Sequence, residues 1–132
     1  HLSKSLPGPT LPLLGSRDIQ NGELVSIFGY GLDENQKIDV LKSGEMKVSG
    51  VTDNHIFAKF DGAGSNTCNG DSGGPAIYTF TKDGREIDAV VGVVSTGEIV
   101  DCSAGDTTLF ANAHSSSNLS FITQSVPSTR VE

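Results

Sequence analysis

The sequence lacks long apolar runs and carries little positive charge. No stretch approaches the roughly 18–20 apolar residues that a membrane-spanning helix needs, although 36% of the 132 residues are hydrophobic. Sixteen acidic residues against nine basic ones give a net charge of −7. Because nucleic acids and anionic membranes attract basic proteins, this balance argues against either as a partner. The length and composition indicate about one globular domain.

Cysteine is also scarce, since Cys68 and Cys102 are the only two. They lack a CxxC spacing and a matching set of histidines, so the sequence does not predict a zinc site. No other metal or organic cofactor is expected. Two interpretations of the pair stay open: two buried thiols, or a disulfide that closes a loop of about 35 residues. A disulfide would indicate an oxidising compartment outside the cytoplasm, secreted or periplasmic.

Glycine, in contrast, is abundant, and the chain favours short strands and tight turns over helices. The expected strands are Leu24–Tyr30, Lys37–Val48, His55–Phe60, Ala76–Thr81, Ile87–Ser95 and Thr107–Ala113. Asp83-Gly84 predicts a tight hairpin between the fourth and fifth strands. The second strand opens with the alternating residues Ile38 and Val40 and is expected to continue as an edge strand. Six short strands at this spacing indicate an all-β antiparallel barrel or sandwich.

The two ends of the chain differ from this pattern. Residues 1–22 are expected to form an extended lead-in, because Pro7, Pro9 and Pro12 exclude a helix. Near the other end, Leu119 and Ile122 share one face of a single short helix predicted over Ser116–Gln124.

The most unusual stretch is TCNGDSGGPAIY, from Thr67 to Tyr78. A nucleophilic serine needs a base, donors for the oxyanion and exposure to substrate. The glycines beside Ser72 suit the oxyanion donors and the exposure to substrate. The amides of Gly70 and Ser72 can point into one cavity only if no Cβ hinders the turn. The alternative interpretation is a glycine-rich bulge before a strand, with Ser72 as a passive turn residue.

This stretch resembles the nucleophile loop of chymotrypsin-like (trypsin-family) serine proteases. The positions that carry the resemblance are Cys68, Gly70, Asp71, Ser72, Gly73, Gly74 and Pro75. The resemblance implies that Ser72 is the nucleophile and that the amides of Gly70 and Ser72 form the oxyanion hole. Asp71 would be the carboxylate that, in the family, pairs with a freshly cut N-terminal amine and orders the hole.

The resemblance covers nearly the whole chain but only one half of the family's architecture. Val25–Gly31 resembles the family's SGWG strand, and Val91–Gly97 resembles the strand that pairs with bound peptide. These matches imply that residues 1–132 form a single domain, the second, six-stranded antiparallel Greek-key barrel of the chymotrypsin fold, with a short C-terminal helix. The resemblance also implies a disulfide between Cys68 and Cys102.

A set of substrate-binding residues follows from the same resemblance. Its expected members are Asn66, Thr67, Asn69, Ser95, Thr96, Gly97 and Thr108. In the family the floor of the specificity pocket lies six residues before the nucleophile, which is Asn66 here. Because Asn66 is neutral and Thr108 stands where the family often has glycine, a small or medium uncharged P1 residue is expected. Glu98 or Asp106, reaching in from a neighbouring loop, would instead favour a basic residue.

The family's general-base histidine and its orienting aspartate belong to the first barrel, and neither motif occurs here. The chain has only His1, His55 and His114, none in the family's setting. The resemblance implies a serine endopeptidase that cleaves peptides or proteins through an acyl-enzyme on Ser72 once an N-terminal barrel supplies the base. A serine without its base loses about a millionfold in turnover in comparable enzymes, so the chain alone is expected to be nearly inactive.

Two other functions have partial support in the sequence. Gly70–Gly74 also satisfies the G-x-S-x-G elbow of α/β-hydrolases, which needs a strand before it and a helix after it. Gly62–Asn69 is polar and Pro75–Thr81 has a strand pattern, so the elbow is excluded. The second alternative, an inert protease-like domain that serves as a binding module or an excised half-enzyme, stays open. The intact Ser72 and its glycines favour the protease.

Overall fold

The computed structural model describes residues 7–132 and closes six antiparallel strands into a barrel, followed by a helix. The elements are β1 (Leu24–Gly29), β2 (Lys42–Val51), β3 (His55–Lys59), β4 (Pro75–Lys82), β5 (Arg85–Gly97), β6 (Thr107–Asn112) and α1 (Ser116–Ser125). The strand order around the barrel is β1-β2-β3-β6-β5-β4. The predicted all-β class, the six strands and the terminal helix are confirmed, and the architecture is the barrel rather than the sandwich.

The connection between β3 and β4 carries Ser72. Strands β1, β2 and β3 are successive antiparallel neighbours, and β4 returns to pair with β1. The resulting order, 4-1-2-3, is that of a Greek key. Residues 60–74 therefore cross one end of the barrel, and the fold places Ser72 at that end rather than along a strand.

The core of the barrel is filled by the inward-facing apolar residues of the alternating strands. These buried residues are Val25, Ile27, Met46, Val48, Ile56, Ala58, Ala76, Ala89, Val91, Val94 and Phe110. Each large side chain of this kind contributes roughly 1.5–3 kcal/mol on burial. The loops that carry the site are thus supported by a packed core.

The lead-in follows the barrel surface. Over residues 7–22 it has neither helix nor strand, as its prolines predict, and residues 1–6 lie outside the described residues. Leu13 forms isolated bridges with Val90 of β5 and Val131 near the C-terminus, while Leu14 and Ile19 are buried. The lead-in is therefore packed against the barrel.

A polar cluster fixes the end of the lead-in. Arg17 donates two hydrogen bonds to the Glu23 carboxylate, at 2.7 and 3.0 Å, and one to the Tyr78 hydroxyl at 3.0 Å. Tyr78 in turn donates to Glu23 at 2.8 Å. The bonds from Arg17 lower the pKa of Glu23 to about 2.

The second strand begins at Lys42, not at Lys37 as predicted. Ile38 and Val40 do alternate in the sequence, but both are more than half exposed and lie in the β1–β2 loop. Gln36 has a φ of 60° and Asp39 a φ of 66°, a left-handed conformation that interrupts a strand.

The expectation of an edge strand is also wrong. Strand β2 pairs with β1 over residues 42–47 and with β3 over residues 48–51. Because the barrel is closed, β2 has a partner on each side.

Candidate active site

Ser72 lies in the second of two consecutive turns at the end of the β3–β4 connection and is exposed to solvent. The Asp71 amide donates to the Cys68 carbonyl at 3.0 Å, and the Gly74 amide donates to the Asp71 carbonyl at 2.9 Å. These bonds close turns over residues 68–71 and 71–74. Among residues 7–132 the Ser72 hydroxyl has no hydrogen-bond partner, so its side chain is free to meet a ligand.

Two glycines give these turns their shape. Gly70 and Gly73 have φ angles of 99° and 87°, a region that L side chains rarely adopt. The Gly73 amide donates to the Val94 carbonyl at 2.9 Å, and the Val94 amide donates to the Gly74 carbonyl at 2.8 Å. The second turn is thus anchored to β5, and the glycines are required by the turns themselves.

The turns leave two backbone amides without partners. Within residues 7–132, neither the Gly70 nor the Ser72 amide donates a hydrogen bond, and both residues are exposed. Free amides on either side of a tight turn are the kind of donors that stabilise an oxyanion. The pair that the sequence singled out is therefore available to a ligand.

The Asp71 side chain ties the Ser72 turns to the loop after β1. One carboxylate oxygen accepts from the Gly31 amide at 2.8 Å, and the other accepts from the Cys68 amide at 2.9 Å. The carboxylate occupies space that side chains at Gly29 and Gly31 would fill: a Cβ on Gly31 would lie 2.6 Å from Asp71, and one on Gly29 would overlap it. The sequence pattern did not reveal this packing role of Gly29 and Gly31.

A cavity of about 420 Å³ opens beside Asp71. Its wall includes the β1–β2 loop, with Asp33 and Glu34, and the first residue of β2, Lys42. The Lys42 ammonium pairs with Asp33. This pairing, with hydrogen bonds from the Lys37 and Asn35 amides, lowers the pKa of Asp33 to about 2.

The two cysteines form the disulfide that the resemblance implied, and the buried-thiol interpretation is wrong. Cys68 and Cys102 are bonded, with their Cα atoms 5.5 Å apart. The bridge joins the first residue of the 68–71 turn to the loop that precedes β6. It therefore fixes the base of the Ser72 loop against the opposite wall.

The expected pocket residues are joined by hydrogen bonds. The Asn66 amide group donates to an Asp106 carboxylate oxygen at 2.9 Å and to the Cys102 carbonyl at 3.1 Å. Thr108 donates its hydroxyl hydrogen to the Asn66 side-chain oxygen at 3.0 Å. Because that hydrogen is used, Thr67 is the donor in the 2.8 Å bond between the Thr67 and Thr108 hydroxyls. This network directly joins the two sides of the expected slot.

Asp106 is the acidic residue that lies beneath this network. It is fully buried, and one oxygen accepts from the Glu98 and Ile99 amides, each at 2.8 Å. The other oxygen accepts from Asn66. Glu98 is placed differently, because its side chain lies in an exposed position and only its backbone meets Asp106.

The other expected substrate-binding residues are exposed. Ser95, Thr96 and Gly97 end strand β5, where a register shift between Val94 and Thr96 interrupts the pairing with β6. Asn69 is exposed within the first turn, and its side chain donates to the Val100 carbonyl at 3.3 Å.

Neither described histidine contacts Ser72. His114 lies with Nδ1 2.7 Å from the Asp18 carboxylate and Nε2 3.1 Å from the Gly15 carbonyl, so it holds the lead-in. His55 lies on β3 beside Phe57. His1 lies outside the described residues.

Two features are absent from residues 7–132. No helix there is both long and apolar enough to cross a membrane. That part of the chain also holds no group of three or more histidine, cysteine or acidic side chains able to bind a metal ion.

Comparison with known proteins gives one informative match. A family model described as Trypsin matches residues 4–121, which is most of the chain and includes the Ser72 turns, the disulfide and all six strands. A comparison with curated protein sequences gives no match.

Proposed function

Since the chain belongs to the trypsin family, we propose that it is the C-terminal barrel of a chymotrypsin-like serine endopeptidase. Residues 1–132 would form this one domain. An N-terminal barrel, in another chain or another part of the same protein, would supply the general-base histidine and its orienting aspartate. The substrate would be a peptide or protein.

The observation that carries the proposal is the combination of an exposed, unbonded Ser72 with two free amides at Gly70 and Ser72. The hydroxyl oxygen would attack the scissile carbonyl carbon while its proton passes to the histidine of the first barrel. The carbonyl oxygen becomes negative and would accept hydrogen bonds from the two amides. Loss of one such donor costs about 3–4 kcal/mol of transition-state stabilisation in known enzymes.

The remaining steps follow from the same groups. The histidine returns the proton to the leaving amine as the carbon–nitrogen bond breaks, which leaves an ester on Ser72. Water then attacks the ester, losing a proton to the histidine, and Ser72 regains its proton on release of the acid. This chain supplies the nucleophile and the oxyanion donors, and the proton carrier comes from the first barrel.

Asp71 would keep the two amides in position. Its carboxylate is held by the Gly31 and Cys68 amides and borders the cavity described above. A newly cut N-terminal amine entering this cavity would give Asp71 a cationic partner, in the way the family pairs these groups. The size and polarity of the cavity support this role.

The pocket network supports a small uncharged P1 residue. The Thr67–Thr108 bond would bridge the two sides of the expected slot and leave a long side chain no path past it. Asp106 does not offer its charge to a basic side chain, because it is fully buried and three N–H groups already donate to it. Thr108 and Asp106 therefore favour the smaller end of the expected range.

A disulfide and membership of the trypsin family are both typical of extracellular proteins. We therefore propose that the protein lies outside the cytoplasm, secreted or periplasmic. The alternative, an inert domain that only binds, has weaker support. A binding module has no need of two unsatisfied amides beside an exposed serine.

Labelling with a fluorophosphonate tests the proposal. The protein, with any polypeptide that co-purifies, would be analysed by intact mass before and after reaction. We expect one adduct on the chain that contains Ser72, lost in Ser72→Ala and kept in Ser128→Ala, a matched change at an exposed serine distant in sequence. Labelling that persists in Ser72→Ala would refute the assignment. An unlabelled chain accompanied by a histidine-bearing partner would also contradict it.

A further inference from the structure

Lys42 shares a cavity with several carboxylates but pairs with only one of them. It lines the same cavity as Asp33 and Asp71, and its ammonium is bonded to Asp33. Among the described residues that line this cavity, Lys42 is the only cationic side chain. Asp71, in contrast, is held by two backbone amides and forms no ion pair within residues 7–132.

The strand register brings Lys42 close to Asp71. Gly29 of β1 is the direct partner of Lys42 of β2. Directly opposed residues of an antiparallel pair have Cα atoms about 4.5–5.5 Å apart and side chains on the same face of the sheet. A side chain at Gly29 would overlap the Asp71 carboxylate. The carboxylate therefore occupies the face toward which Lys42 projects, across a distance that the flexible four-carbon stem of lysine can span.

Asp33 can release Lys42 without losing all its partners. Its Oδ1 accepts from the Asn35 and Lys37 amides, at 2.9 and 2.8 Å, whereas Lys42 binds Oδ2. The Lys42 side chain is also 42% exposed, so its movement would disturb no packed core. Leaving Asp33 for Asp71 exchanges one carboxylate on the cavity wall for another.

We propose that Lys42 is a positioning residue with two alternative anionic partners: Asp33, as in this structure, and Asp71. When paired with Asp71, Lys42 takes the place of the N-terminal amine and stabilises the turns that hold the Gly70 and Ser72 amides. The functional role rests on the proposed protease function, but the exchange of partners does not. Its consequence is a site that can be ordered without a cut N-terminus.

The direct test is a crystal structure of the Asp33→Asn variant, which removes the competing charge while keeping the loop's shape. We expect the Lys42 ammonium within about 4 Å of an Asp71 oxygen, the usual limit for an ion pair. A Lys42 side chain that extends into solvent, or moves to Glu34 on the same cavity wall, overturns the proposal.

Hydrogen exchange provides a readout in solution. The Gly31 and Cys68 amides, which bind Asp71, should exchange several-fold more slowly in Asp33→Asn than in the parent chain. This protection should disappear in Asp33→Asn/Lys42→Met and persist in Asp33→Asn/Lys47→Met. Lys47 is the matched control because it lies on the same strand, five positions away and thus on the opposite face. If the Gly31 and Cys68 amides exchange hydrogen at the same rate in Asp33→Asn as in the parent chain, Lys42 does not move to Asp71 and the proposal fails.

Fluorophosphonate labelling separates this inference from the proposed function. If Ser72 is unreactive in every variant although the histidine-bearing barrel is present, but the exchange rates shift as expected, the protease assignment fails and the Lys42 pairing stands. If Ser72 reacts but the exchange rates and the Lys42 position do not change, only the Lys42 proposal fails.

Discussion

The Asp71 carboxylate accepts a hydrogen bond from the Gly31 amide at 2.8 Å, across 40 positions of sequence. This contact joins the loop that carries Ser72 to the loop after β1. It exists because Gly31 has no side chain, since a Cβ there would lie 2.6 Å from the Asp71 carboxylate. The position of the Ser72 turns therefore depends on a residue far away in the sequence.

Gly31→Ala should displace Asp71 and loosen the Ser72 turns. We expect a loss of about 1–3 kcal/mol in the free energy of unfolding, typical of overpacking, and slower fluorophosphonate labelling of Ser72. Denaturant unfolding and labelling rates measure the two effects. Gly50→Ala is the matched control, because its nearest neighbour would be 3.7 Å away. Equal stability and labelling in the two variants would contradict the packing argument.

Removing the disulfide should destabilise the chain markedly. Cys68→Ser/Cys102→Ser opens a loop with a sequence separation of 34, for which chain entropy gives about 3–4 kcal/mol. Denaturant unfolding of the double variant and of the oxidised parent measures the difference. Adding a reductant should lower the stability of the parent but not of the double variant. A loss below about 1 kcal/mol would show that the bridge contributes little.

Glu23→Gln should weaken the attachment of the lead-in in a pH-dependent way. The bonds from Arg17 lower the folded-state pKa of Glu23 to about 2 from its ordinary value of 4.5. A carboxyl group with a lowered pKa stabilises the fold above its unfolded pKa, and this contribution is lost as the pH falls through the folded pKa. We expect Glu23→Gln to cost about 1–2 kcal/mol at pH 7, after allowing for partial exposure.

This pH dependence is tested by measuring the free energy of unfolding of the parent chain and of Glu23→Gln between pH 7 and pH 2. Their difference should be constant above about pH 5 and shrink steadily below it. A difference that does not change with pH would mean that the Glu23 charge is not the source of the stabilisation.

Thr108→Gly should open the slot beside Ser72. The variant removes the side chain that bonds both Thr67 and Asn66. We expect p-cresol, which has the shape of a tyrosine side chain, to shift the NMR signals of residues 66–68 in the variant but not in the parent. Thr108→Val is the control, since it loses the hydroxyl but keeps the volume. Binding by the parent chain would contradict the closed pocket.

Much of the fold could be predicted from the sequence because its signals are local. Short runs of strand-forming residues, with alternation in the second one, predicted the six strands, and Asp83-Gly84 marked the hairpin that joins β4 to β5. Alternation wrongly predicted a strand at Ile38 and Val40, because an alternating pattern does not show whether a residue has a positive φ. The positive φ of Gln36 and Asp39 turns that segment into a loop.

The candidate site likewise has one part that the sequence predicts and another that it does not. Ser72 and its glycines are neighbours in sequence, so their pattern could be recognised before the structure was known. The contact of Asp71 with Gly31 and the bond of Asn66 to Asp106 each span 40 positions. Sequence spacing gives no measure of such distances, so neither contact could be derived from the chain alone.

The most direct test of the account is a crystal structure of the protein, together with any polypeptide that co-purifies, after reaction with a fluorophosphonate. The account predicts phosphorus bonded to Ser72 Oγ and the phosphonyl oxygen about 2.7–3.1 Å from both the Gly70 and the Ser72 amide nitrogens. An adduct whose oxygen contacts neither amide, or no adduct on Ser72 when the histidine-bearing barrel is present, would contradict it.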